Sequence, residues 1–454
     1  MNETQRPRLF DRTLENLRSA WRDIRAASRS AAGVPLRPDL PEADMRRVRE
    51  QIVECLEARG GEVSARVRAA ELGRTYLQLN AEGRFRFLSL LAREFGPNHA
   101  LVEKAIETVR KAAAGKDRFL AEQALRDALE TPRGKLFTQF TALPEGVKFL
   151  VDMRAEALDL IARDEEIMAV EADLKRLFQA WFDVGFLDLE RISWDSPAAV
   201  LEKLIAYEAV HAIRSWDALK KRLESDRRLF AFFHPRMPGE PLIFLAVALV
   251  SGMASEIDAL LDERAPPSDP AEADTAVFYS ISNAQKGLAG INFGGFLIKQ
   301  VADDLARGFP RLKIFATLSP VPGFRSWLEG ALAKGELPSN IDYRPLLKVG
   351  GGDDALSALK NVLGRDWMGD RAMSQGLEEP LSTLCAHYLL EEKREDGEAR
   401  DPVARFHLRN GARIERINWR ADPSAKGLEQ SYGMMVNYNY RLAEIEANHE
   451  AYSA

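Results

Sequence analysis

The sequence predicts two parts, a wholly helical N-terminal bundle reaching about residue 185 and a C-terminal half of α/β or α+β class. Three observations carry this reading. Apolar residues recur at helical spacing in the first part, as in Val48, Ile52, Val53 and Leu56 and again in Phe87, Leu88, Leu91 and Phe95. Short runs dense in aromatic and branched residues, the composition of buried strands, begin beyond residue 186. Helical patterns interleave with those runs. At 454 residues the chain exceeds one ordinary core, so residues 1–185 and 186–454 are expected as separate domains.

Composition narrows the function. Apolar content of 46% and charged content of 29% are those of a soluble globular protein. A net charge of −6 argues against a nucleic-acid partner, whose footprint is a basic face, yet leaves room for a local basic patch. The two cysteines, Cys55 and Cys385, lie far apart without metal-type spacing. The six histidines form no H-x-x-x-H pattern, so no metal site is expected, and a reducing, cytoplasmic setting fits best. The longest apolar run, Pro241 to Met253, is too short for a membrane span and rich in strand formers. The N-terminus is arginine-rich and amphipathic, but Glu3, Asp11, Glu15 and Asp23 favour a solvated surface helix over a transit peptide.

In the first part Gly60-Gly61, Gly96-Pro97 and Pro132-Arg133-Gly134 punctuate the helices, with no repeating period, so a bundle serving packing or oligomerisation is expected. In the second, strands are expected over Leu229–His234, Pro241–Val250, Ala276–Ser282 and Arg311–Leu318, with a strand-like segment over Gly433–Tyr440. Ala265–Asp274 reads as a proline-rich loop, Val349–Asp354 as a flexible turn and Glu391–Asp401 as a charged surface loop.

Three places draw chemical interest. The first is Asn283–Gly295 (NAQKGLAGINFGG), which follows a strand and leads into a helix striped by Phe293, Leu297, Ile298, Val301 and Leu305. Gly287, Gly290, Gly294 and Gly295 leave backbone bare where N–H groups and the helix dipole could hold a pyrophosphate, with Lys286 as countercharge. The pattern is neither a P-loop nor a Rossmann fingerprint, and a glycine turn for tight packing reads equally well. The second is Ser319, at a strand end and followed by Pro320-Val321-Pro322-Gly323, which either points its hydroxyl into a ligand site or caps the next helix. The third is His407 in FHLRNGA, where Asn410-Gly411 suggests a tight turn and hence a histidine at a strand end. Tyr438 and Tyr440 would share one face of the last strand, donating into the site or simply packing.

Taken in order, HPRMPGEPLIFLAVAL, FYSISNAQKGLAGINFGGFLIK, LSPVPGF, FHLRNGA and GMMVNYNY resemble the malonyl-CoA decarboxylase family, and the likeness extends to FQAWFDVGFLDLERISW. The resemblance implies an α+β protein: an all-helical N-terminal bundle, then a catalytic domain with the fold of the GCN5-related acetyltransferases. It implies conversion of malonyl-CoA to acetyl-CoA and carbon dioxide without metal or organic cofactor. The large helical domain without chemistry of its own suggests self-association, a homo-oligomer (dimer or tetramer). Carried over, the serine of SPVPGF is Ser319 and the histidine of FHLRNGA is His407, with the thioester and phosphates along Ala289–Gly295; Tyr440 completes the expected catalytic set. Ala289, Gly290, Ile291, Asn292, Phe293, Gly294 and Gly295, together with Ser280 and Asn410, are expected to bind substrate. Asn292 stands where the family carries a glutamate, which removes the acidic group from that position.

The chemistry suits these residue types. Loss of carbon dioxide from a malonyl thioester leaves an enolate whose oxygen needs preorganised donors, such as backbone N–H groups of the glycine loop. A neutral hydroxyl at Ser319 can orient the carboxylate without over-stabilising it. Histidine, titrating near neutral pH, can protonate the enolate carbon, with Tyr440 or Asn410 orienting the ring. Sharing one site requires Ser319 and His407 to lie within about 8 Å. An acyl-CoA-dependent acyltransferase and a non-catalytic acyl-CoA sensor are the alternatives.

Overall fold

The computed structural model describes residues 21, 36–57, 61–182, 184–291, 297–351 and 354–453. The arginine-rich surface helix expected at the N-terminus lies outside them except for Trp21, which is buried and donates its indole N–H to the Pro144 carbonyl at 2.7 Å. Asn292, Phe293, Gly294 and Gly295 of the expected substrate loop also lie outside the described residues. The chain divides into two compact units, one of Met1–Asp188, Phe233–Leu242 and Asn283–Asn292, the other of Leu189–Phe232, Ile243–Ser282 and Phe293–Ala454.

The first unit is helical, as its spacing predicts. Its α-helices run Glu42–Leu56, Gly61–Gln78, Ala81–Glu94, His99–Lys111, Lys116–Leu129, Pro132–Phe140, Gly146–Leu160 and Met168–Trp181. Local chemistry sets their starts: Asn80 and Asn98 accept from the N–H groups of Gly83 and Leu101, and Thr131 caps a helix with Pro132 in its first turn. Phe87, Phe137, Phe140, Phe149 and Phe178 fill the core. Val53, expected on the apolar stripe, is instead 40% exposed, because Val48, Ile52 and Cys55 define the buried face of its helix.

The second unit is built on a mixed sheet. Its strands are β1 (Asp188–Ile192), β2 (Arg227–Phe233), β3 (Ile243–Val250), β4 (Thr275–Asn283), β5 (Ile314–Thr317), β6 (Ser319–Pro320), β7 (Arg413–Asn418) and β8 (Met435–Asn439). They lie in the order β1-β2-β3-β4-β5-β8-β6, with β7 paired to β8. Strands β2 and β3 are antiparallel from Arg227↔Ala248 to Phe232↔Ile243. Strands β4 and β5 are parallel from Thr275↔Ile314 to Phe278↔Thr317, and the helix Leu297–Gly308 connects them, burying Leu297, Ile298, Val301 and Leu305. The apolar run at residues 241–253 is strand β3, and no helix among the described residues is long and apolar enough to cross a membrane. The helical first unit and mixed second unit make an α+β protein.

Candidate active site

The second unit gathers its chemistry where β5, β6 and β8 meet. The strand expected over Arg311–Leu318 begins only at Ile314 and stops at Thr317; after Leu318 the chain resumes as the two-residue β6. Strand β8 pairs with both pieces, Ala316 opposite Asn439 and Ser319 opposite Val436. Pro320 and Pro322 then end regular pairing, and the helix Phe324–Lys334 starts with Gly323, not Ser319, at its N-cap. The Ser319 hydroxyl is therefore free for side-chain partners.

His407 lies on a helix, Pro402–Arg409, and not at the strand end expected from Asn410-Gly411. Asp401 caps the start, accepting from the N–H groups of Val403 and Ala404 at 2.9 and 2.8 Å, with Pro402 in the first turn. At the other end Gly411 takes a left-handed φ of 78°. The Ala412 N–H donates to the His407 carbonyl and the Gly411 N–H to the Leu408 carbonyl, both at 3.0 Å, the pairing of a Schellman C-cap. Asn-Gly thus closes a helix here instead of turning a hairpin. A Cβ on Gly411 would fall 2.2 Å from the Ile445 carbonyl oxygen, so only glycine fits against that backbone.

These elements bring three side chains into one buried line. The Ser319 Oγ is 3.0 Å from His407 Nε2, and His407 Nδ1 is 2.7 Å from the Tyr440 hydroxyl. The Ser319 hydroxyl donates to Thr317 Oγ1 at 2.8 Å, which also accepts the Tyr438 N–H at 3.1 Å. The Tyr438 ring stacks on the imidazole with centroids 4.5 Å apart. The Tyr440 N–H donates to the Phe315 carbonyl at 2.7 Å, fixing its hydroxyl relative to β5.

The protonation state follows from burial. With no charged partner among the described residues, desolvation pulls the His407 imidazole down to about 3, so it is neutral at pH 7. This corrects the expectation of a histidine titrating near neutrality. Burial pushes the Tyr440 phenol well above its ordinary value, so it keeps its proton. The single ring proton of the neutral imidazole lies either on Nε2, facing Ser319, or on Nδ1, facing Tyr440. The line reads Tyr440 to His407 to Ser319 to Thr317, four groups without formal charge.

Comparison with known proteins now bears on this geometry. Residues 185–454 match the family profile of the malonyl-CoA decarboxylase C-terminal domain, and residues 95–182 that of its N-terminal domain. The chain belongs to the malonyl-CoA decarboxylase family. The family's mitochondrial member from Rattus norvegicus is 39% identical over 391 residues, covering 82% of this chain and 79% of the relative. That from Anser anser anser is 38% identical over 405 residues, covering 85% and 80%. The crystal structure of the Rhodopseudomonas palustris family member superimposes with a TM-score of 0.81 at 42% identity, covering 89% of this chain and 95% of that one.

Against this family background, the structure joins Ser319, His407 and Tyr440 and does not join the other expected site residues among the described ones to them by hydrogen bond. Ser280 is buried on β4, its hydroxyl 2.8 Å from both carboxylate oxygens of Glu208. Asn410 donates its amide to the Phe406 carbonyl at 2.7 Å, capping its own helix instead of orienting the imidazole. In the glycine loop Ile291 is buried and Ala289 and Gly290 are exposed. Gly287 is not bare: a Cβ there would meet the Val151 carbonyl oxygen at 1.8 Å, and close packing is its reason. Lys286 is paired with Asp159 and offers no spare countercharge.

Sequence reading missed Glu208, which accepts from Ser280, from Ser282 at 3.0 Å, and from the N–H groups of Val210 and His211, and pairs with Arg222 at 3.2 Å. Its signal was Ser-Ile-Ser in an otherwise apolar strand, two hydroxyls on one face that need a buried acceptor.

Proposed function

We propose that this chain decarboxylates malonyl-CoA to acetyl-CoA and carbon dioxide, with Ser319, His407 and Tyr440 as its catalytic residues. Family membership supports the reaction, and the buried neutral line of these three side chains supports the roles. A malonyl carboxylate brought against uncharged groups loses hydration without gaining a counter-ion, while the departing carbon dioxide is neutral and the charge moves onto the thioester oxygen. Ser319 orients the carboxylate so that the breaking C–C bond overlaps the carbonyl π-system. Donors to the enolate oxygen contribute about 3 kcal/mol each. The Nε2–H of neutral His407 then delivers a proton to the enolate carbon, the Tyr440 hydroxyl passes its proton to Nδ1, and solvent returns one proton to the phenolate, the proton that the reaction consumes overall, as the ring goes back to its starting tautomer. A neutral imidazole is acidic enough because the acceptor is a strongly basic carbanion.

The deciding experiment incubates the purified chain with malonyl-CoA alone. One carbon dioxide and one acetyl-CoA should appear per substrate, undiminished by a chelator since no metal is proposed. Silence without an added acyl acceptor would instead point to an acyltransferase. S319A and H407A should each lower kcat by about 10²–10⁴-fold while CoA still binds. Unchanged kcat would remove these residues from the mechanism. The proposal includes a cytoplasmic setting, consistent with two buried free thiols, and recovery of the chain in an organelle fraction would contradict it.

A further inference from the structure

Thr317 closes strand β5, and its surroundings bear on where the Ser319 hydrogen goes. Its backbone is fixed from two sides: it pairs with Phe278 of β4, and its carbonyl accepts from the Asn437 amide at 2.7 Å. Its side chain is fully buried and β-branched, which restricts it to few rotamers. The Thr317 Oγ1 accepts the Tyr438 N–H at 3.1 Å, a backbone donor that cannot reverse its role. The Ser319 hydroxyl donates to the same oxygen at 2.8 Å. Both lone pairs of the threonine hydroxyl are then taken.

A serine hydroxyl has a single hydrogen. With that hydrogen on Thr317, the Ser319 Oγ can only accept from His407 Nε2, 3.0 Å away, which requires the ring proton on Nε2. Nδ1 is then a bare lone pair for the Tyr440 hydroxyl at 2.7 Å, that phenol's one hydrogen-bond partner among the described residues. The hydrogen left over is that of Thr317, at the end of the line away from the ring. The opposite tautomer reverses every bond: Thr317 would donate to Ser319, Ser319 to Nε2, and Nδ1 to Tyr440. It leaves over the Tyr440 hydrogen instead, on a residue 1% exposed. A phenol is a stronger donor than an aliphatic hydroxyl, so leaving it buried without an acceptor costs more.

We propose that Thr317 is a positioning residue that sets the His407 tautomer: by taking the Ser319 hydrogen, it keeps the ring proton on Nε2, the nitrogen that faces Ser319. The inference rests on the reading of His407 as proton donor above. It adds the residue that holds the donor loaded before substrate arrives, and it places that residue on β5, outside the three side chains assigned to the chemistry.

The test is a long-range proton–nitrogen correlation spectrum of the whole chain, isotope-labelled at histidine, at pH 7 without substrate. Such a spectrum separates a protonated ring nitrogen from a bare one, and H407Q identifies the His407 signals among the six histidines. Wild type should show Nε2 protonated and Nδ1 bare. In T317V, which removes the hydroxyl at similar volume, the Ser319 hydrogen has Nε2 as its remaining partner, so the ring proton should move to Nδ1. There kcat should fall about tenfold while KM for malonyl-CoA stays unchanged. T317S, which keeps the hydroxyl, should keep the wild-type signals and rate. A wild-type ring protonated on Nδ1 overturns the inference, as does T317V with wild-type signals or wild-type kcat, or a loss in T317S equal to that in T317V. Should T317V not fold, the wild-type spectrum decides alone. Wild type protonated on Nε2 that releases no carbon dioxide from malonyl-CoA refutes the decarboxylase reading alone. Active wild type protonated on Nδ1 refutes the role of Thr317 alone.

Discussion

At the scale of the residue, the consequence of a buried His407 is a definite pH dependence. Its folded-state value is pulled down from 6.5 to about 3, so the unfolded chain takes up the proton first on acidification. The stabilisation is fully present above pH 6.5 and is lost progressively as pH falls toward 3. His211, pulled down to about 4 by burial, acts in the same direction. Thermal unfolding followed from pH 7 to pH 4 should therefore show a falling midpoint whose slope is shallower, though not flat, in H407Q. The rate should behave differently from that of an enzyme using an imidazolium: kcat should show no inflection near pH 6.5. A limb there in wild type that disappears in H407Q would mean that His407 works charged. The residue types of the site were legible in the sequence, because SPVPGF and FHLRNGA advertise a hydroxyl and an imidazole. The protonation state was not, since it depends on how completely Tyr438, Phe406 and the strands exclude water from the ring.

At the scale of the element, the helix Pro402–Arg409 shows how a correct local signal can be assigned to the wrong partner. Asp-Pro at its start and Asn-Gly at its end are the ordinary N-cap and C-cap residues of a short helix, and eight residues fit between them. Asn-Gly is equally the commonest two-residue hairpin turn, and β7 does follow it directly. Long-range packing against Ile445 decides between these readings, and no sequence pattern expresses it. G411A tests the link from cap to chemistry. It forces a Cβ onto a left-handed residue and into a backbone oxygen, so stability should fall by about 1–3 kcal/mol or more. Turnover should fall with it because His407 sits one helical turn away. Unchanged melting and unchanged kcat would show that the cap does not set the histidine's position.

At the scale of the whole molecule, the fold class was readable from period and composition, but the interlacing of the two units was not. Phe233–Leu242 and Asn283–Asn292 leave the sheet's sequence region and join the helical unit. There the Gln285 amide donates to the Pro241 carbonyl at 3.1 Å and Gly287 packs on Val151. Such partners are far apart in sequence and invisible to any window of local pattern. The helical unit also carries exposed apolar side chains among the described residues. The helices His99–Lys111 and Lys116–Leu129 each bury a single alanine and leave Leu101, Phe119 and Leu120 exposed, Phe119 by 61%. We propose that a second copy of the chain covers this face. Light scattering at micromolar concentration should give at least a dimer, and F119E with L120E should reduce it. A monomeric wild type would end the proposal.

Strand β8 has a bearing on when, and not only where, the site exists. It is the strand that joins β5 and β6, it stacks Tyr438 on the histidine, and the next residue is Tyr440. The ribosome delivers Ser319 more than a hundred residues before Tyr440. A nascent chain can fold its helices and most of its sheet while the relay still lacks its final member. The line of Ser319, His407 and Tyr440 is thus complete only once strand β8 has paired with both β5 and β6.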